Sequence, residues 1–427
     1  MMNTFQYPIT RKSIRGAMAL WVLDAGITTE ALAASSSFDL STKRTRKTLS
    51  LITLLLAVFT LSNPALAADY TITDLGTLGG NTSQGLGINN SGQVVGQSIH
   101  IPGSNYNNHA FLYSGGVMTD LGTLGGTLSS AVAINNSGQV VGQADTKPFG
   151  AYNTYYSRAF LYSGGAMTDL GTLGGKNSWA GAGGINDTGQ VVGMANISNG
   201  LQRAFLSDVV NNVRQPMADL GTLGGNNSFA ESINNAGQVV GYSEFATTSF
   251  SRHAFLYSGG KMTDLGTLGG SSSWAVNLND EGQVVGKANI GGNSATHAFL
   301  YSGELMTDLG TLGGQNSEAI HINNAGQVVG NSLIAGSNVY HAFLYSNGGM
   351  LDLNSLLSPD SGWELSSANE INDSGQIVGW GKRNGNVHAF LMTPAAPIPE
   401  PETYAMMLAG LGLLGLTQRR RKPKAVA

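Results

Sequence analysis

A histidine or arginine recurs along this chain, and in most copies an aspartate follows eleven residues later: His109 and Asp120, Arg158 and Asp169, His253 and Asp264, His297 and Asp308, His341 and Asp352. Between Arg203 and Asp219 the interval stretches to sixteen, through an insertion at 208–216. As a chemical set these residues would be metal ligands or acid–base groups. As cross-strand partners they would fasten a hairpin. The second reading is favoured, because an active site is not repeated identically around an array. His388 has no aspartate eleven residues downstream and Asp74 is the copy left without a partner, so these two are expected to lie side by side. Three carboxylates break the pattern: Glu231, Glu318 and Glu370 are each unique to their repeat. Two carboxylates suffice for glycoside cleavage and leave no local signature, so an enzyme stays open beside a binding role.

Other chemistry is excluded by what the sequence lacks. There is no cysteine, hence no thiol nucleophile, thiolate metal site or disulfide. Neither a GxSxG elbow nor HExxH occurs, and the glycine-rich DLGTLGG segments lack GxGxxG spacing, open no helix and have no lysine placed to complete a P-loop. The Asn-(Asn/Asp)-X-Gly segments lack the dense carboxylates of a calcium loop and match hairpin turns. Residues 68–395 hold 10 basic and 21 acidic side chains, a net −11 that repels nucleic acid. No metal or cofactor is expected.

These residues sit in a repeated unit. DLGTLGG begins at Asp74, Asp120, Asp169, Asp219, Asp264 and Asp308, with a decayed copy at Asp352, so the period is 44–50 residues. GQVVG, once GQIVG, and HAFLY or a variant recur with it. In the second unit Ser129 to Ile134, Gln139 to Gln143, Arg158 to Tyr162 and Met167 to Leu170 read as four short strands joined by turns. Sixty glycines in 427 residues supply those turns, and no helical period appears. Four strands per unit of this length predict an all-β, seven-bladed β-propeller. The last unit lacks a fourth strand and Tyr70 to Leu75 is a spare one, so the N-terminal strand is expected to complete blade seven. Variable loops share one rim, and the longest carries Phe149, Tyr152, Tyr155 and Tyr156, aromatic candidates for binding.

The ends read as addresses. Lys43 to Lys47, the apolar run Leu49 to Leu61 and Ala65-Leu66-Ala67 form a secretory signal, with cleavage between Ala67 and Ala68. The layout is then 1–42, an unstructured extension or mis-called start; 43–67, signal peptide; 68–395, repeats; and 396–427, a tail. That tail carries Pro399-Glu400-Pro401, apolar Tyr404 to Leu416 and basic Arg419 to Lys422. It resembles the PEP-CTERM sorting signal. The resemblance implies an exosortase-type processing enzyme as partner, transient inner-membrane anchoring, and release or attachment at the cell surface of bacteria that make exopolysaccharide. The body, through His-Ala-Phe at 109–111, 253–255, 297–299, 341–343 and 388–390, resembles the HAF family of extracellular repeats. The expected function is a binding or structural module at the surface or in the matrix, for exopolysaccharide or a partner protein. The alternative is a polysaccharide-cleaving hydrolase or lyase.

Overall fold

The computed structural model describes residues 70–103, 107–148, 155–210, 213–245 and 251–395. The expected cleavage site at Ala67 and Ala68, the sorting residues Pro399, Glu400 and Pro401, and the loop residues Phe149 and Tyr152 lie outside them. Among the described residues no helix is long and apolar enough to cross a membrane; Tyr404 to Leu416 is not among them.

The fold is all-β and built from four-stranded antiparallel sheets. In the first unit the strands are Ser83–Ile88, Val94–Ile99, Asn108–Ser114 and Val117–Gly122, paired in that order. Among the described residues five sheets have four strands, and one of eight joins two further sets through a parallel bridge from Gly183 to Ser232. The insertion at 208–216 forms a ribbon, Val209–Val210 against Val213–Arg214.

Each unit owes its shape to a few side chains. The asparagine that opens the first hairpin turn accepts backbone N–H groups of that turn on its own Oδ1; at Asn89 these come from Ser91 and Gln93 at 3.1 and 3.0 Å. The turn then needs a left-handed residue, supplied by Gly92 at φ 74°. In the second strand the glycine after Val-Val lies under a phenylalanine ring. A Cβ at Gly96 would meet the Gln84 carbonyl oxygen at 2.0 Å and the Phe111 ring at 2.9 Å, both on strands of its own sheet, so a larger residue would distort that sheet. Phe111, Phe160, Phe205, Phe255, Phe299, Phe343 and Phe390 are fully buried, each packed with the valine or isoleucine pairs of two successive sheets.

The first and last described strands pair. Tyr70–Asp74 pairs antiparallel with Asn386–Pro394, placing Asp74 opposite Phe390 in the register that places Asp120 opposite Phe111. Leu75, Ile88, Val94 and Phe111 pack with Val378 and Ala389, so the first and last sheets share an apolar core like any neighbouring two. His388 Nδ1 lies 2.9 Å from Asp74 Oδ2, and Arg383 also pairs with that oxygen. Burial pushes the Asp74 carboxyl up, but the Gly76 N–H at 2.9 Å, His388 and Arg383 together hold it below its ordinary value. A lowered carboxylate pKa stabilises the fold above the unfolded value and loses that contribution as pH falls through the folded one. Asp74→Asn is therefore expected to lower stability at pH 7 by about 1–3 kcal/mol in urea unfolding, and to shrink the loss of stability below about pH 4.

A second closure runs through the turns. The Nδ2 of Asn89, Asn135, Asn186, Asn234, Asn279, Asn323 and Asn372 each donates to the backbone carbonyl of the next asparagine in that order, and Asn372 returns to Asn89, all at 3.0–3.2 Å. The residue after each asparagine repeats the cycle: its N–H donates to Oδ1 of the next Asn or Asp at 2.9–3.0 Å, ending with Asp373 on Asn90. Asn372→Ala would strip the donor from one link and leave the Ser374 and Gln376 N–H groups without their acceptor. The expected cost is about 2–4 kcal/mol, seen as a lower thermal midpoint.

Candidate functional site

The first strand of each sheet carries a repeated irregularity that decides what faces inward. Register slips by one residue between Gly85 and Gly87, Ala131 and Ala133, Ala230 and Ser232, Ala275 and Asn277, Ala319 and His321, and Ala368 and Glu370. The bulged residue is apolar in most units but Glu231 in the fourth. Glu318 lies two positions before the bulge and Glu370 one after it, so the three carboxylates sit at three levels.

The structure brings two of them together. Glu231 and Glu318 border one cavity of about 900 Å³, walled by Tyr242, Trp274, Tyr340 and Trp380, with Lys287, Asn316 and Asn331 among its polar groups. Lys287 Nζ pairs with Glu318 Oε1 at 2.9 Å and lies 5.8 Å from the centre of the Trp274 ring, so one cation ties an acid to an aromatic face. Tyr242 stacks on Phe229 at 4.6 Å, and the Arg252 guanidinium lies 5.7 Å over it. Although Glu231 borders the cavity, desolvation pushes its carboxyl up to about 7; the Ala182 N–H opposes that, the Glu318 charge adds to it and Lys287 opposes it. Burial, and then the Glu231 charge, push the Tyr242 phenol up to about 12.

Glu370 does not join them. Its Oε2 accepts from Ile88 N at 2.8 Å and its Oε1 lies 3.3 Å from His321 Nε2, beside a smaller cavity of about 150 Å³ lined by Leu86, Val132 and Ala182. The carboxylate is spent on a backbone N–H of the first unit, a structural link between the two ends of the repeat array.

The recurrent pairs lie elsewhere in each sheet, at the junction of third and fourth strands. His109, His253, His297 and His341 approach Asp120, Asp264, Asp308 and Asp352 at 2.7–2.8 Å. The arginine variants differ. Arg203 Nε stands 3.7 Å from Asp219. Arg158 and Asp169 make no ion pair; the guanidinium lies 5.9 Å over the Tyr156 ring and its Nε has no hydrogen-bond partner. Asp169 keeps the bond from Gly171 N at 2.7 Å that Asp120 and Asp308 also accept from Gly122 and Gly310 N. Tyr155 is exposed and Tyr156 half-buried, and neither lines the large cavity. Among the described residues no group of three or more His, Asp or Glu could hold a metal.

Sequence reasoning missed Trp274, Trp380, Tyr242, Tyr340 and Lys287. A signal was present: when the units are superimposed, the residue after Gly-Gln-Val-Val-Gly varies as Gln97, Gln143, Met194, Tyr242, Lys287, Asn331 and Trp380. Its cross-strand partner varies with it, from Gln84 and Ser130 to Trp179, Phe229, Trp274, Glu318 and Ser367. Near-identical units disagree where the cavity lies.

Residues 172–268 and 267–390 match a family described as protein of unknown function (DUF3466), about half of the chain. The chain belongs to the DUF3466 family. The match spans Glu231, Lys287, Glu318 and the aromatic walls. A PEP-CTERM protein-sorting motif occupies 397–422 and implies export with transient membrane anchoring and exosortase processing. No curated protein matches this DUF3466 chain in sequence. Among solved structures it is similar to the β-propeller domain of the Trilobed protease from Pyrococcus furiosus, at 8% identity over 73% of this chain and 94% of that one, TM-score 0.47. It is also similar to Trypanosoma rangeli sialidase, at 10% identity over 77% of this chain and 60% of the sialidase, TM-score 0.38. A gluconolactonase from Xanthomonas campestris matches at 11% identity over 78% and 94%, TM-score 0.33.

Lys287 is the cation that opposes the rise at Glu231, which makes its removal informative. Lys287→Met is expected to move the Glu231 titration upward from about 7, followed by carboxyl NMR or by the pH dependence of Trp274 fluorescence. An unmoved midpoint would mean that Lys287 does not face Glu231.

Proposed function

We propose that this protein is an exported, seven-bladed β-propeller that binds glycan at the cell surface or in the extracellular matrix, through the cavity walled by Tyr242, Trp274, Tyr340 and Trp380. The observation that carries this reading is the placement of four aromatic rings and several amide and hydroxyl groups on one concavity of about 900 Å³. Sugar rings present apolar faces that stack on indoles and phenols, and hydroxyls that amides satisfy. The net −11 of the body disfavours a polyanion, so a neutral glycan fits better.

Support for seven blades comes from the cyclic asparagine bonds and from Tyr70–Asp74 acting as the fourth strand of the last sheet. On this reading the His/Arg and Asp pairs fasten hairpins, and the HAF resemblance describes the same units. The proposed layout is an extension at 1–42, a signal at 43–67 cleaved before Ala68, the propeller at 68–395 and a sorting tail at 396–427 processed near Pro399 to Pro401. Phe149, Tyr152, Tyr155 and Tyr156 would form a secondary contact on a loop.

Binding is tested on an array of neutral oligosaccharides and isolated exopolysaccharide. Trp274→Ala and Trp380→Ala are each expected to weaken binding by about tenfold, roughly 1.4 kcal/mol, as read by fluorescence titration. Tight binding that ignores both substitutions would exclude this cavity.

A further inference from the structure

Two departures from the repeat coincide in space. The bulged residue of the fourth unit is Glu231, where the first, second, fifth, sixth and seventh have Leu86, Val132, Val276, Ile320 and Asn369. The first strand of the third unit, Gly174–Ile185, has 12 residues where Gly125–Ile134, Gly224–Ile233, Gly269–Leu278 and Gly313–Ile322 have 10. Its extra length folds against Glu231. A Cβ at Gly181 would lie 2.3 Å from the Glu231 carbonyl oxygen, and one at Gly183 would lie 2.4 Å from Ser232 Oγ, so only glycine permits the approach. The same segment turns the Ala182 N–H onto the Glu231 carboxyl. A drifted surface glutamate would need neither a matching insertion nor a run of glycines beside it.

We propose that the cavity cleaves the neutral glycan it binds, with Glu231 donating the proton and Glu318 accepting one from the attacking water. The inference rests on the binding reading above and adds a reaction to it. Glu231 passes its proton to the bridging oxygen as the bond from the anomeric carbon to that oxygen breaks, and the bond's electron pair leaves with the oxygen. Water adds its oxygen to the anomeric carbon and gives a proton to the Glu318 carboxylate, so one water is consumed per bond cut. The two carboxylates are differentiated by surroundings: Glu318 is ion-paired with Lys287, while Glu231 is desolvated and titrates near 7. The ionisable groups that face Glu231 are Glu318, Lys287 and Tyr242, the last backed by Arg252.

The test uses the purified full chain, the neutral oligosaccharide that binds tightest on the array, and its 2,4-dinitrophenyl glycoside. New reducing ends are expected, at a rate that falls as pH rises through about 7 and Glu231 loses its proton. Glu231→Gln should cut oligosaccharide cleavage by about 10²–10⁴-fold while leaving binding within about threefold, and Glu318→Gln should also abolish turnover. The dinitrophenyl glycoside, whose phenolate leaves unprotonated, should lose less than about tenfold with Glu231→Gln. Binding without new reducing ends overturns catalysis and leaves the binding reading intact. Equal losses on both substrates would make Glu231 a structural residue, and neither binding nor cleavage would overturn both readings.

Discussion

The structure depends on the bond that each turn asparagine makes to the next unit. Asn89 and its six counterparts organise their own hairpin with Oδ1 and reach across to a neighbouring carbonyl with Nδ2, so local turn and quaternary-like packing of sheets share one side chain. Each of these asparagines is almost fully buried, and an unpaired amide there would be expensive. The bonds form a cycle, and in a cycle each link is shortened or lengthened only with all the others. The second cycle sorts charge: Asp187, Asp280 and Asp373 alternate with Asn136, Asn235, Asn324 and Asn90, so each carboxylate lies between amides and never beside another carboxylate. An odd number of positions leaves one place where two amides adjoin, Asn90 and Asn136.

Such a frame leaves few positions free to differ. Val-Val, the following glycine and the phenylalanine are tied to packing between sheets, and the turn residues to the cycles. What remains is the bulge and the cross-strand pair before it, where side chains of adjoining units meet, as Lys287 meets Glu318. In the first two units that pair is small or amide, with Gln97 bonded to Gln84 at 2.7 Å. From the third to the seventh it is aromatic or charged, and the cavity lies on the side of the fourth to seventh. An asymmetric site thus grows from a symmetric scaffold through substitutions that leave the frame intact. The repeated histidine–aspartate pairs behave oppositely, keeping nearly the same separation in each unit, 2.7–2.8 Å.

Much of this was legible in the sequence by itself. The period, the four strands, the turn glycines and the pairing of His388 with Asp74 follow from local pattern and from counting what each end lacks, because strand alternation and turn chemistry are set by near neighbours. The replacement of histidine by arginine at Arg158 was visible too, but not its loss of Asp169, since side-chain reach depends on the surrounding surface. What only the tertiary structure decided was the company each glutamate keeps. Glu231, Glu318 and Glu370 stand at different positions of the repeat, but the chain alone does not say that the first two share a cavity, that the third bonds to the first unit, or that Glu231 is the one desolvated. Those outcomes are set by contacts between strands of different units, whose distances and dielectric surroundings exist only once the sheets have packed.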